Sequence, residues 1–141
     1  MLVIVLDTNV ISELSRERPE PAVSAWFLRQ QPDFLATTSV SLAEVLYGLE
    51  LLPKGRRRER LSELSRVIFE IALRSRIFGF DAYAAPHYAR LRAEGRKSGL
   101  PMSPQDAQIA AIAAAARATL ATRNVDDFKD CGIMVVNPWD A

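Results

Sequence analysis

The sequence predicts an α/β fold whose central sheet is mostly parallel and has about five strands. Short apolar runs rich in β-branched residues alternate with longer segments of helical periodicity, a pattern typical of parallel sheets. The first run, residues 3–6, is wholly apolar and lacks alternation, so we expect a strand buried on both faces. Asp7 follows it directly, at the carboxyl end of a strand, where open α/β sheets bind their ligands.

Length and composition favour a single domain spanning residues 1–141. The chain is 49% hydrophobic, which is enough for a real core and excludes a disordered protein. The formal net charge is only +1, so a nucleic-acid site would have to rest on local basic patches. The single cysteine, Cys131, excludes an intrachain disulfide and favours a reducing compartment. No stretch has the length of a membrane span, and we expect a soluble cytoplasmic protein.

Apolar periodicity and turn residues divide the chain into strands and helices. The predicted strands are residues 3–6, 34–38, 77–80, 119–122 and 133–136. The predicted helices are residues 9–15, 22–30, 39–52, 56 to about 74, 81–97 and 107–118. The helix over residues 39–52 is apolar on two sides, which predicts that it is buried or faces a partner.

Three acidic residues are candidates for a site, and each also has an ordinary structural explanation. Asp7 is well placed to cap the first helix, because Asp is favoured at that position. Glu44 lies among apolar residues but could simply be solvated. Asp106 stands three residues after Ser103 and follows Pro104, which together form a helix-start signal. None of these explanations excludes a carboxylate that also faces a metal ion.

Strand order would bring these acids together at one edge of the sheet. Asn124, Asp126 and Asp127 follow the fourth strand and can reach the same edge. Oxygen ligands without His or Cys suit a hard cation, Mg²⁺ or Mn²⁺. Adjacent carboxylates cannot all ionise cheaply without a counter-ion. Such a cluster is typical of phosphodiester chemistry, in which the metal activates water and clamps the phosphate.

Four short motifs in order, and the closing Asn137-Pro138-Trp139, resemble the PIN-domain family, most of all the VapC and FitB-type toxins of toxin–antitoxin pairs. The motifs are Leu6-Asp7-Thr8-Asn9, Ala43-Glu44, Gln105-Asp106-Ala107-Gln108-Ile109-Ala110, and Thr122-Arg123-Asn124 with Asp127-Phe128. The resemblance covers nearly the whole chain. It implies a three-layer α/β/α sandwich and a Mg²⁺- or Mn²⁺-dependent endoribonuclease that acts as a toxin. It also implies a homodimer and a small antitoxin whose tail covers the site, with further assembly on the antitoxin possible.

The resemblance assigns roles to individual residues. Asp7, Glu44 and Asp106 match the acidic metal ligands, and the fourth acidic position of the family falls on Asn124, where an amide replaces a charge. Thr8 and Asn9 would orient Asp7, and Thr122 could hold a water or a phosphate. Whether Asp126 replaces the missing acid is left open.

Basic residues of two helices are candidates for contacting the RNA backbone, although they could equally be solvated. They are Arg56, Arg57, Arg58 and Arg60 at the start of one helix, and Arg92, Arg96 and Lys97 near the end of another.

The predicted mechanism is hydrolysis of an RNA phosphodiester by metal-activated water, with Asp7 and Asp106 holding the ion and Glu44 completing its ligands or taking a proton. One alternative is a related fold that only binds RNA or a partner, since Asn124 departs from the family pattern. The other is a phosphatase or nucleotide hydrolase, which is disfavoured because no glycine-rich phosphate loop follows Asp7.

Overall fold

The chain, described over residues 2–141 by a computed structural model, forms the five strands expected from its sequence. The strands are β1 (Ile4–Leu6), β2 (Leu35–Thr38), β3 (Ile77–Phe78), β4 (Thr119–Ala121) and β5 (Val135–Val136). They form one sheet in the order β3-β2-β1-β4-β5, and every neighbouring pair is parallel. The prediction of a mostly parallel five-stranded sheet is therefore confirmed.

Over residues 2–141, six α-helices connect these strands. They are α1 (Thr8–Leu14), α2 (Pro21–Arg29), α3 (Ser39–Glu50), α4 (Arg56–Arg66), α5 (Ala85–Lys97) and α6 (Pro104–Ala115). Across residues 2–141, none of the helices combines the length and the apolar composition that a bilayer crossing needs.

The sheet lies between two helical layers, because its buried side chains alternate between its two faces. Leu6 belongs to one hydrophobic cluster, which α1, α2, α3 and the segment after α4 cover. Val5, its neighbour in β1, belongs to another cluster, which α5 and α6 cover. Both side chains are fully buried, so the first strand is covered on both faces, as its unbroken apolar run predicted. The three-layer sandwich is confirmed.

The long helix predicted from residue 56 to about 74 changes character partway. After α4 ends at Arg66, the segment Val67–Ala72 is a π-helix, and Arg74 and Ser75 then adopt positive φ angles. Phe69 and Leu73 are both buried in the core cluster on this side. The wider turn thus accompanies two large side chains that enter the core four residues apart, which periodicity alone does not distinguish from a regular helix.

The segment before α5 also differs from its prediction. The α-helix begins at Ala85 rather than Asp81. The Asp81 carboxylate instead accepts hydrogen bonds from the backbone N–H groups of Tyr83 and Ala84, each at 3.0 Å, and so caps a separate turn. Pro86 then lies in the first turn of α5, where its missing N–H leaves no partner unsatisfied.

Candidate metal-dependent nuclease site

Strand order places the candidate site beside the central strand. From β1 the chain moves to β2 on one side, and later crosses to β4 on the other side. Parallel α/β sheets bind ligands at such a reversal of strand order. Leu6 pairs with Ala121, so the next residues of both strands, Asp7 and Thr122, emerge side by side at the carboxyl edge.

Hydrogen bonds hold the Asp7 carboxylate in one orientation. Asp7 is the N-cap of α1, and its Oδ1 accepts from the backbone N–H of Thr8 at 2.8 Å. Its Oδ2 accepts from the hydroxyl of Thr122 at 2.7 Å, and the Asn9 amide lies 3.4 Å away. Thr122 is completely buried, and its Oγ1 also accepts from Asn9 Nδ2 and from the backbone N–H of Asn124. The capping role foreseen for Asp7 thus coexists with a fixed position at the edge of the sheet.

Glu44 approaches the same edge from α3. Its Oε1 lies 3.1 Å from the hydroxyl of Thr8, which is also 2.9 Å from the hydroxyl of the buried Ser41. Thr8 therefore contacts Asp7 through its backbone and Glu44 through its side chain. Ser41 was not among the predicted site residues, although its position three residues before Glu44, on the same helix face, could have indicated it.

Asp106 reaches the site from the first turn of α6. The hydroxyl of Ser103, the N-cap, accepts from the backbone N–H of Asp106 at 3.1 Å, as the helix-start signal predicted. Its carboxylate is half-buried near the beginning of the helix, where the helix dipole favours a negative charge.

One cavity of about 530 Å³ collects the predicted residues. Its lining includes Asp7, Glu44, Asp106 and Asn124, together with Thr8 and Asn9. Arg123 and Trp139 form another part of its wall, and neither was among the predicted site residues. Far-apart carboxylates therefore converge on one pocket, which we call the acidic pocket.

The carboxylates of this pocket perturb one another. Burial raises the pKa of Asp7, and the charges of Glu44 and Asp127 raise it further, against the hydrogen bonds from Thr122 and Thr8. Burial also raises the pKa of Asp106, and the charges of Asp7 and Asp127 add to that effect. Since ionised carboxylates at close range repel one another, the pocket favours a bound cation.

Asp127 is the acid of the last motif that acts on the other carboxylates. Asp126 and Asp127 both line a neighbouring cavity, but only Asp127 contributes to the raised pKa values of Asp7 and Asp106. Asn124 lines the acidic pocket itself. The ligand roles predicted for Asn124 and Asp126 stay predictions. In the sequence, Asp127 was indicated by its place next to Phe128 in the last motif. The Phe128 side chain is buried in the core and anchors the turn that carries Asp127.

The donor set suits a hard divalent cation. All the acidic groups offer carboxylate oxygens, which Mg²⁺ and Mn²⁺ prefer. Within residues 2–141, however, no three His, Cys, Asp or Glu side chains stand close enough to ligate one ion together. Magnesium usually binds proteins through one or two carboxylates and keeps several waters. The residues therefore fit an ion of this kind, held partly through water.

Within residues 2–141, none of the basic residues predicted to contact RNA lines the acidic pocket. Arg58 pairs with Glu50 at 3.0 Å, and Arg60 with Glu17 at 3.4 Å. Arg92 donates a hydrogen bond to the hydroxyl of Tyr88 at 2.9 Å. Arg56, Arg96 and Lys97 are exposed on their helices, and Arg57 lines a second groove. RNA contacts by these residues stay a prediction. The cations that line the acidic pocket are instead Arg16 and Arg123.

A second, partly apolar groove of about 690 Å³ adjoins the acidic pocket. Ser12, Arg16 and Glu44 line both cavities, so the two are continuous. The groove continues between α3 and α4, past Leu49 and Leu61. Leu46 and Tyr47 of α3, and Leu51 directly after it, are exposed to solvent, whereas Val40 near its start packs against the core. Part of the apolar surface of this helix is thus uncovered in the isolated chain, which is typical of a surface that faces a partner.

Comparison with known proteins agrees with this geometry. The chain is 39% identical to the VapC ribonuclease Y4jK of Sinorhizobium fredii, over 97% of this chain and 98% of that protein. It is 33% identical to the toxin FitB of Neisseria gonorrhoeae, over 96% of this chain and 98% of that protein. The crystal structure of FitAcB from Neisseria gonorrhoeae superposes with a TM-score of 0.88, covering 99% of this chain and 100% of that one at 33% identity. The family profile described as PIN domain matches residues 4–133, and the chain therefore belongs to the PIN-domain family.

Proposed function

We propose that this protein is a divalent-metal-dependent endoribonuclease, with Mg²⁺ as its ion, and that it acts as the toxin of a toxin–antitoxin pair. The observation that carries the proposal is the convergence of Asp7, Glu44 and Asp106 on one pocket at the carboxyl edge of the sheet. The raised pKa values of Asp7 and Asp106 support it, because mutual repulsion is what a bound cation would relieve. The relatives named as a VapC ribonuclease and a toxin support the same conclusion.

Asp7 and Asp106 are the proposed ligands of the metal ion. The nearby charge of Asp127 raises the pKa of both carboxyl groups. The Thr122 hydroxyl and the Thr8 backbone N–H keep the Asp7 carboxylate oriented and favour its ionised form. A divalent cation bound here would supply water of lowered pKa and positive charge beside the phosphate.

Glu44 is the proposed proton acceptor. Thr8 contacts its Oε1, which leaves Oε2 available to take a proton from the water that attacks phosphorus. Cleavage then breaks the bond between phosphorus and one of the bridging ribose oxygens, and that oxygen takes up a proton from solvent water as it leaves. The contact with the Thr8 hydroxyl thus helps to orient the Glu44 carboxylate for this transfer.

The proposed inhibitor is a small antitoxin that occupies the groove joined to the acidic pocket. The groove is partly apolar, and it is continuous with the acidic pocket at Arg16 and Glu44. Both features suit a peptide segment that covers the site. We also propose that the chain forms a homodimer, and the exposed apolar residues of α3 are consistent with a partner surface.

The test is cleavage of total bacterial RNA by the purified chain, with cut sites mapped by sequencing the new ends. The wild type with Mg²⁺ should cut, whereas the wild type with excess chelator and the Asp7→Asn variant should not. Mn²⁺ should raise the melting temperature of the wild type more than that of Asp7→Asn, because the variant lacks a ligand.

Asp33→Asn is the matched control, since it neutralises an acid at the opposite edge of the sheet. Asp33 is exposed and, within residues 2–141, pairs only with Arg74, so its loss should change neither cleavage nor the metal-dependent melting shift. Wild-type cleavage that persists in chelator, or in folded Asp7→Asn protein, would contradict the proposal. RNA binding without any cleavage would favour the alternative of a binding module.

A further inference from the structure

An arginine and a tryptophan from separate segments meet at the wall of the acidic pocket. Arg123 directly follows Thr122 at the end of β4, and Trp139 lies three residues after β5. The guanidinium carbon of Arg123 is 5.0 Å from the centroid of the Trp139 ring. Both side chains line the cavity that contains Asp7, Glu44 and Asp106. This contact therefore places a positive charge beside a cluster of negative ones.

The backbone around both residues is held in place. The Arg123 N–H donates to Asn9 Oδ1 at 3.1 Å, which ties it to the residue that also approaches Asp7. The side chain of Asn137 accepts from the Trp139 N–H at 2.9 Å and donates to Asp140 at 3.2 Å, closing a turn after β5. Trp139 also packs against the hydrophobic core cluster that α1, α2 and α3 cover. Its indole is thus a fixed platform rather than a free terminal side chain.

The Arg123 guanidinium is not neutralised by a neighbouring acid. Over residues 2–141, the Arg123 side chain forms no ion pair within 4.0 Å. Within that range it stays unpaired although the acids Asp7, Glu44, Asp106 and Asp127 are grouped in this region. The other cation of the pocket, Arg16, pairs with Glu13 at 3.1 Å. Arg123 is instead stacked on an aromatic ring. Stacking uses the flat face of a guanidinium and leaves the N–H groups at its edge free to donate.

We infer that Arg123, positioned by Trp139, binds a backbone phosphate of the RNA adjacent to the bond that is cut. The inference rests on the proposed function. A pocket lined by carboxylates repels a polyanionic substrate, so a cationic side chain at its wall helps to bring a backbone phosphate close, in addition to the charge that a bound divalent cation would supply. A guanidinium suits this role, because its edge matches two phosphate oxygens. Arg123 is then a substrate-binding residue, and Trp139 is a positioning residue that acts through it.

The test uses an RNA oligonucleotide that spans a site mapped in the wild-type digest. The steady-state kinetics of Arg123→Ala should show a KM raised about tenfold with little change in kcat, since the contact is made equally before and during cleavage. Arg123→Lys should lie between this variant and the wild type, because an ammonium keeps the charge but loses the fork. Arg29→Ala, which removes an exposed arginine at the far end of the sheet, is the matched control and should keep the wild-type KM.

Trp139 variants separate positioning from general stability. Trp139→Phe keeps an aromatic face, so its KM should stay close to the wild-type value. Trp139→Ala should raise KM, as Arg123→Ala does. In the double variant Arg123→Ala/Trp139→Ala, KM should equal that of Arg123→Ala alone. Trp139→Ala should lower the melting temperature in either case, because the ring packs against the core. A purely structural tryptophan would instead add its effect on KM to that of Arg123→Ala.

Binding without cleavage gives an independent measurement. In an Asp7→Asn background, fluorescence anisotropy with the same oligonucleotide should show that Arg123→Ala weakens binding. The slope of log K against log salt should fall by about 0.7, the value for one lost contact to a single strand. An unchanged KM and salt slope in Arg123→Ala, with a wild type that cuts RNA, would overturn the inference and leave the proposed function standing. A wild type that cuts no RNA would overturn both.

Discussion

Replacing Thr122 with valine tests the electrostatics of the site without changing its shape. The Thr122 hydroxyl is completely buried and donates to the Asp7 carboxylate at 2.7 Å. A buried hydrogen bond to a charged group is worth about 1.5–3 kcal/mol, so we expect the free energy of unfolding to fall by that amount near neutral pH. Valine has nearly the same volume as threonine, so the loss reports the hydroxyl rather than a cavity.

Thr37→Val is the matched control for this substitution. Thr37 is also completely buried, and its hydroxyl donates at 2.7 Å, but the acceptor is the neutral carbonyl of Leu6. A bond of this kind contributes about 0.5–1.5 kcal/mol. Both variants lose a buried hydroxyl donor, and they differ in the charge of its acceptor. Thr122→Val also loses the two hydrogen bonds that Thr122 Oγ1 accepts from Asn9 and from Asn124, so the comparison rests on the pH dependence, which those two bonds to neutral groups do not share.

The dependence on pH distinguishes the two variants more sharply than the size of the effect. The Thr122 hydroxyl favours the ionised form of Asp7 and so lowers its pKa against burial. Its removal penalises ionised Asp7 most, so the destabilisation should be largest where Asp7 is charged in the wild type. As the pH falls through the raised pKa of Asp7, the carboxyl becomes protonated and the difference from the wild type should shrink. The effect of Thr37→Val should not change with pH.

Urea unfolding followed by circular dichroism in the presence of chelator, between about pH 4 and pH 8, measures both effects. Equal losses for the two variants, or a loss in Thr122→Val that stays constant with pH, would refute the assignment of Thr122 as the donor to a charged Asp7. A loss that grows as the pH falls would show that the sign of the coupling is reversed.

Two further predictions concern the ends of α6, which carries Asp106. Ser103→Ala removes the acceptor for the Asp106 N–H and should lower the free energy of unfolding by about 1 kcal/mol, whereas Ser103→Asn should retain most of it. Urea denaturation measures this change, and equal stability of the alanine variant and the wild type would contradict it. At the other end, Arg117 has a φ of 52°, which favours glycine. Arg117→Gly should raise the melting temperature and stabilise the protein by about 0.5–1 kcal/mol, and a lower melting temperature would count against strain at this position.

Much of the fold was predictable because local pattern and tertiary environment agree. The unbroken apolar run before Asp7 predicted a strand covered on both faces, and this strand is buried between two helical layers. The alternation of strands with helices predicted the parallel sheet, and the resemblance to the PIN-domain family implied the three-layer sandwich. The start of α6 was predictable for the same reason, because Ser103 and Pro104 act within one turn. The π-helical segment Val67–Ala72 was not, since a wide and a regular turn have similar sequence periodicity.

The candidate site divides along similar lines. Strand-end acids such as Asp7 were recognisable from the chain alone, because the carboxyl ends of parallel strands share one edge. Other features of the site join residues that are far apart in sequence. They are the contact of Thr8 with Glu44, the effect of the Asp127 charge on the pKa of Asp7, and the stacking of Arg123 on Trp139. No local pattern encodes them.

By itself, the sequence determined the class of fold, the family and the acids that gather at the edge of the sheet, because hydrophobic pattern, capping residues and motifs are local properties. Only the tertiary structure decided which hydrogen bonds hold those acids, how their pKa values shift, and which basic side chain, Arg123, lies beside them. Burial and the distances between side chains from different strands and helices set hydrogen bonding and pKa, and both exist only once the chain has folded.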